Sequence, residues 1–207
     1  PMVVHVYEKA LQAESLDDVI IAIDSDETAE ALKPFKVNTV MTFSDHKSCT
    51  DRVAQVVEEL EADVAVNIQG AEPAIDPQLI DDLVVAFDVP NIFMATVATT
   101  DISLEDEIDP NVVKVLVDNN NIALAFRRDP RQYEIGGYYR HIGIYAFRKE
   151  AIMKFTKMMQ TENEKTHKLE QLRVLDNGLP IHVIMTDYTG RGIDTEEDLK
   201  AIAETNG

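Results

Sequence analysis

Five short runs of the sequence carry side chains able to do chemistry. In Gln69-Gly70-Ala71-Glu72-Pro73, Gly70 and Pro73 suit a sharp turn that would hold the Gln69 amide at the rim of a sheet. There its donor and acceptor can read a hydroxyl or a base edge, although the run also reads as a plain strand-to-helix turn. Ser44-Asp45-His46-Lys47-Ser48-Cys49-Thr50-Asp51-Arg52 sets hydroxyls and backbone amides at a helix start, with Arg52 supplying charge. That arrangement binds anions, while Thr50 equally reads as an N-cap. In Arg140-His141-Ile142-Gly143-Ile144-Tyr145 the alternation of a strand puts His141, Gly143, Tyr145 and Phe147 on one face. His141 and Tyr145 would then stand roughly 13 Å apart at ~3.3 Å per residue, flanking a glycine gap of sugar size, or be ordinary core residues. Glu170-Gln171-Leu172-Arg173 turns Leu172 and Leu175 inward and leaves Glu170 and Gln171 to solvent or to a site. Finally, Asp194 heads a capping box with Glu197, and it is also a hard-oxygen ligand of the kind Mg²⁺ takes.

The elements that must position these residues follow from periodicity. Val3, Val4, Val6, Tyr7, Ala10 and Leu11 recur at helical spacing, and Val19–Ile23 is a short apolar run that reads as a buried strand. The alternation continues with helix 28–32, strand 38–42, helix 50–60, strand 64–69, helix 77–87 and strand 93–98, the pattern of a mostly parallel sheet covered by helices. From Asn111 the rhythm changes to strands 112–118, 122–128 and 140–148, the first two joined by Asn119-Asn120-Asn121 as an antiparallel hairpin. Helices 150–159 and 168–175, strand 181–186 and helix 195–205 complete the pattern. In open α/β sheets ligands lie beyond the carboxyl ends of strands, where Asp24, Thr42 and Gln69 fall.

The 207 residues hold 19 Lys and Arg against 38 Asp and Glu, a net charge of −19. Such a field argues against nucleic acid or an anionic bilayer as a partner. An anionic substrate would instead need a local cluster of cations, for which Arg52, Lys114, Arg128, Arg140 and Arg173 are candidates, each alternatively a surface ion pair. No apolar run approaches the ~18 residues of a membrane helix. The single cysteine, Cys49, permits no internal disulfide and no secretory signal pattern opens the sequence, so a reducing cytoplasm is expected.

Taken in order, Pro1–Val6, Val40–Thr42, Ser48–Arg52, Val66–Pro73, Val112–Val115, Arg140–Tyr145, Leu169–Leu175 and Gly192–Leu199 resemble the 3-deoxy-manno-octulosonate cytidylyltransferases, or CMP-Kdo synthetases, over nearly the whole chain. The resemblance implies a nucleotide-diphosphosugar-transferase (Rossmann-like) α/β fold, a mixed sheet flanked by helices, in one domain. About 1–110 would be its nucleotide half, and about 111–207 its sugar-acid and dimer half. It implies a homodimer that makes CMP-Kdo and pyrophosphate from CTP and Kdo for lipopolysaccharide synthesis, with Mg²⁺. By the same resemblance Ser48, Thr50 and Arg52 match the nucleotide loop, and Gln69 and Arg128 lie by the reacting centre. His141, Tyr145, Glu170 and Gln171 match the sugar-acid pocket, and Asp194 a magnesium carboxylate.

Three departures accompany the match. The family's opening strand and its glycine- and arginine-containing phosphate loop would precede Pro1, Ala71 stands where the family has a metal-binding Asp, and Cys49 replaces a Gly. They leave two alternatives beside the enzyme: a relative that binds sugar acid or nucleotide without turnover, and a cytidylyltransferase for a related sugar acid.

Overall fold

The computed structural model describes residues 1–129 and 137–193. Helix α1 (Met2–Ala10) is followed by β1 (Ile21–Ile23), α2 (Asp26–Leu32), β2 (Thr39–Met41), α3 (Cys49–Glu58), β3 (Val64–Ile68), α4 (Pro77–Val85) and β4 (Met94–Thr99). Helix starts follow their caps. Ser25 accepts the Thr28 N–H, and Asp76 accepts the Gln78 N–H ahead of Pro77. At α3 the cap is Ser48, which accepts the Asp51 N–H, so Thr50 lies inside the first turn rather than at the cap.

The second half adds α5 (Leu104–Ile108), β5 (Lys114–Val117), β6 (Ala123–Arg127), β7 (Tyr139–Arg148), α6 (Lys149–Lys157), α7 (Glu162–His167), α8 (Leu172–Asp176) and β8 (Ile181–Thr186). Two features differ from expectation. The short α5 forms on a Ser103–Asp106 capping box, and the single helix expected over 168–175 is replaced by α7 and α8. Thr161 caps α7 by accepting the Glu164 N–H, and Lys168 ends it in the left-handed region at φ 54°. The helix expected over 195–205 lies outside the described residues.

The sheet is mixed, and the parallel first half expected from the alternation is not formed as such. β1 and β2 pair in parallel as a two-stranded sheet. In the larger sheet β7 is the spine: β4 runs antiparallel along one edge, while β3 and β5 share the other, β3 against Ile144–Arg148 and β5 against Tyr139–Arg140. β6 pairs with β5 in the expected hairpin and β8 runs parallel to β4. The alternation of helix and strand specifies layers, but it cannot say that a strand arriving 40 residues later inserts between β3 and β4. Apolar residues fill both faces of this sheet. Phe126, Tyr145, Phe147, Ile152 and Phe155 pack on the α3, α6 and α8 side. Leu79, Ile80, Leu83, Ile142, Ile144 and Ala146 pack on the α4 side.

Candidate functional site

A cleft of about 750 Å³ opens between the turn after β3, the start of α3, the middle of β7 and the α7–α8 segment. Its size suits a small-molecule ligand. The shape of β7 decides what faces it. Thr96 pairs with Tyr145 but Val97 pairs with Ile142, so Gly143 and Ile144 form a bulge. The bulge draws the His141 and Tyr145 rings to 5.6 Å between centroids, in place of the wide separation expected from regular alternation. Gly143 faces the Gln69 side chain: a Cβ there would meet Gln69 Cδ and Oε1 at 3.2 Å. The strand is thus shaped around that amide, whose own backbone N–H donates to Gly143 O at 3.3 Å.

His141 is fixed as a neutral imidazole. Thr96 Oγ1 donates to Ile144 O at 2.7 Å and therefore accepts from His141 Nε2 at 2.8 Å, leaving the lone pair on Nδ1. Burial alone lowers its pKa to about 3. The Tyr145 hydroxyl donates to Gln171 Oε1 at 3.1 Å, and burial holds the phenol far above its usual range. Glu170 Oε2 accepts the Thr50 N–H at 2.9 Å, so the first turn of α3 already receives a carboxylate from this chain. Burial pushes the Glu170 carboxyl upward, and the Cys49 thiol beside it is raised by its own burial and by that carboxylate. Glu170 Oε1 and Gln171 Nε2 are buried without a hydrogen-bond partner among the described residues. Two such atoms at one cleft suit a ligand rich in hydroxyls.

The expected nucleotide loop is divided. Ser48 lines the cleft, whereas Thr50 is completely buried with its hydroxyl accepting from Asn67 Nδ2 at 3.1 Å. Arg52 forms an ion pair with Asp24 at 2.7 Å, which holds the Asp24 carboxyl below its ordinary range, and it does not line the cleft. Arg128 does line it, pinned by the carbonyls of His167 (3.0 Å), Pro110 (3.0 Å) and Lys168 (3.4 Å). Lys114 is fully buried and donates to the carbonyls of Asp109 and Arg128, which makes it a brace rather than an anion receptor. Arg140 is spent likewise on the carbonyls of Asp101, Tyr188 and Gly190. The sequence reading passed over Lys47, Lys165 and Lys168, which supply cleft cations. Their proximity in sequence to Ser48 and Glu170 was the available signal.

The far wall closes on the turn after β3. Ile193 N–H donates to Ala71 O at 2.7 Å, the Tyr188 hydroxyl donates to Ala74 O at 2.7 Å, and a Cβ on Gly192 would meet Glu72 Oε1 at 3.0 Å. Arg191 forks onto Asp106, and with the Ser103 N–H and hydroxyl it brings that carboxyl down to about 2 against the upward push of burial. Asp194, the expected magnesium carboxylate, lies outside the described residues. Among the described residues no cluster of three His, Cys, Asp or Glu side chains fits a cation, and Ala71 offers a methyl group.

The sheet and its flanking helices are shared, at 15% identity and a TM-score of 0.61, with 4-diphosphocytidyl-2C-methyl-D-erythritol synthase from Anaerococcus prevotii, covering 99% of this chain and 86% of that one. That likeness defines the class by fold alone, an α/β protein with a mixed sheet flanked by helices. Residues 1–184 match the family described as Cytidylyltransferase, and the chain belongs to that family. It is 37% identical to the 3-deoxy-manno-octulosonate cytidylyltransferase of Geobacter sulfurreducens, over 99% of this chain and 88% of the relative. It is 38% identical to the enzyme of the same name from Chloroherpeton thalassium, over 98% and 85%. The solved structure of CMP:2-keto-3-deoxy-manno-octonic acid synthetase complexed with CTP superposes with a TM-score of 0.89 at 34% identity, covering all of this chain and 87% of that one.

Proposed function

We propose that the chain is a CTP-dependent 3-deoxy-manno-octulosonate cytidylyltransferase. In the reaction the anomeric hydroxyl of Kdo attacks the α-phosphorus of CTP. A new P–O bond forms, the bond to the β-phosphate breaks, pyrophosphate leaves and the hydroxyl proton passes to solvent. The observation that carries the reading at the site is the pair of unpartnered buried atoms, Glu170 Oε1 and Gln171 Nε2, beside Tyr145 and the neutral His141. These four residues offer donors and acceptors to a polyhydroxylated ligand without adding a second full charge. A Glu170 carboxyl whose pKa is raised tolerates an anionic sugar acid better than an ordinary carboxylate would. Arg128, Lys165 and Lys168 supply positive charge in the same cleft for carboxylate and phosphates, and Gln69 presents its amide from the turn after β3. In this reading Ser48, Thr50 and Arg52 act on the nucleotide side, Thr50 and Arg52 through the shape of α3 and its tie to Asp24.

Mg²⁺, held by Asp194 and the substrate oxygens, would neutralise charge on the phosphates. A homodimer in the cytoplasm belongs to the same proposal. Among the described residues no helix is long and apolar enough to cross a membrane. Ala71 favours one second reading, a relative that binds without turnover. Pyrophosphate release from CTP separates the two. Release that depends on Kdo supports the enzyme. Calorimetric binding of CTP or Kdo with no release supports the second reading, and release driven by another sugar acid alone reassigns the substrate.

A further inference from the structure

Arg173 is buried and does not line the cleft, yet it joins two parts of the cleft wall. Its Nη1 and Nη2 donate to Asp51 Oδ1 (2.9 Å) and Oδ2 (3.1 Å), and its Nε and Nη2 donate to Glu164 Oε2 (2.9 Å) and Oε1 (2.6 Å). The guanidinium stands over the Phe155 ring, 4.1 Å from its centroid. Glu164 is 3% exposed, so most of this triad is out of water. Desolvating three ions costs several kcal/mol for each, and apolar residues of similar volume often serve stability as well or better. What an apolar trio cannot supply is a fixed mutual orientation of the segments that carry the two carboxylates.

Those segments are cleft walls. Ser48 Oγ donates to Asp51 Oδ2 at 2.8 Å and accepts the Asp51 N–H at 3.1 Å, so the carboxylate held by Arg173 also sets the hydroxyl that opens α3. Glu164 lies on α7, accepts from Gln160 Nε2 at 3.0 Å, and is followed within six residues by Glu170. Thr50 N–H to Glu170 Oε2 closes the circuit. We infer that Arg173 is a positioning residue for the transfer reaction: acting through Asp51 and Glu164, it locks the start of α3 against the α7–α8 segment so that the two substrates meet in register. Which substrate each wall faces rests on the cytidylyltransferase reading; the mechanical tie does not.

Two variants test it. Arg173→Lys keeps a cation but replaces the fork with a point donor, and Asp51→Asn keeps the Arg173–Glu164 pair while loosening Ser48. Both should remain folded by circular dichroism, with kcat/KM for CTP and for Kdo each reduced about tenfold or more, the scale of one lost oriented contact. Hydrogen exchange reads the tie without substrates. In Asp51→Asn, residues 48–52 and 164–172 should lose protection together. A lowered melting temperature with kcat and both KM values within twofold of the parent overturns the inference, as does lost protection confined to α3. A parent chain that binds neither CTP nor Kdo would instead overturn the cytidylyltransferase reading, with the exchange result still deciding the tie.

Discussion

The carboxyl of Glu170 is buried in the cleft wall and yet titrates. Its folded pKa lies above the ordinary 4.5, so its favourable contribution is complete below that value and is lost as pH rises through the folded pKa. Glu170→Gln keeps an oxygen for the Thr50 N–H and removes the charge. The melting temperature of this variant relative to the parent should therefore increase between pH 4 and pH 8, while Kdo affinity at pH 8 falls about tenfold through loss of an acceptor. Thermal scans at the two pH values and a Kdo titration check both halves, and a constant difference in melting temperature would mean that the carboxyl does not titrate in this range. Ala71 is the second residue with a single strong consequence. Its carbonyl accepts the Ile193 N–H, so a carboxylate at position 71 would stand close to the segment that runs into position 194. Ala71→Asp is expected to lower the Mg²⁺ concentration for half-maximal pyrophosphate release by about tenfold or more, as one added hard-oxygen ligand would. An unchanged magnesium requirement would show that position 71 does not face the cation.

At the scale of elements, the bulge in β7 does what no single side chain does. By inserting Gly143 and Ile144 opposite the Thr96–Val97 step it puts His141 and Tyr145 side by side, and it leaves only the space of a glycine against Gln69. A methyl group at 143 would press on the Gln69 amide at 3.2 Å, tighter than ordinary contact, so Gln69 or β7 must yield. Gly143→Ala should change stability in urea denaturation by less than about 1 kcal/mol, because the Gln69 amide ends a flexible side chain that can yield, and should reduce kcat about tenfold with a smaller change in either KM by displacing the amide that the proposed reaction sets beside its reacting centre. Unchanged kcat in the folded variant would remove Gln69 from the chemistry. Strand β7 was legible in the sequence, and so was the glycine as a gap. The bulge was not legible, because alternation shows which residues share a face only while the register is unbroken.

For the molecule as a whole, charge is divided between a local and a distant field. A net −19 repels CTP, while Lys47, Arg128, Lys165 and Lys168 at the cleft attract it. Raising ionic strength from about 0.01 M to 0.15 M shortens the screening length from about 30 Å to about 8 Å, which silences remote carboxylates before nearby cations. Over that interval kcat/KM for CTP should rise, measured by pyrophosphate release at fixed Mg²⁺; a steady fall would mean that the cleft cations control capture even at long range. The order and type of almost every element from α1 to β8 can be read along the chain, because apolar periodicity, caps and turn residues are local properties. The sequence also brings into view Gln69 at a strand end, His141 and Tyr145 on one strand face beside a glycine, and Glu170 and Gln171 on an outward helix face, and the structure gathers these at one cleft. That β7 separates β3 from β4, that Thr50 accepts from Asn67 and donates its N–H to Glu170, and that Arg173 and Lys114 are internal braces emerges only from long-range packing. A charged residue has the same type on a surface and in a core, and its partners here lie up to 122 residues away, so its role is set by packing that no local pattern encodes.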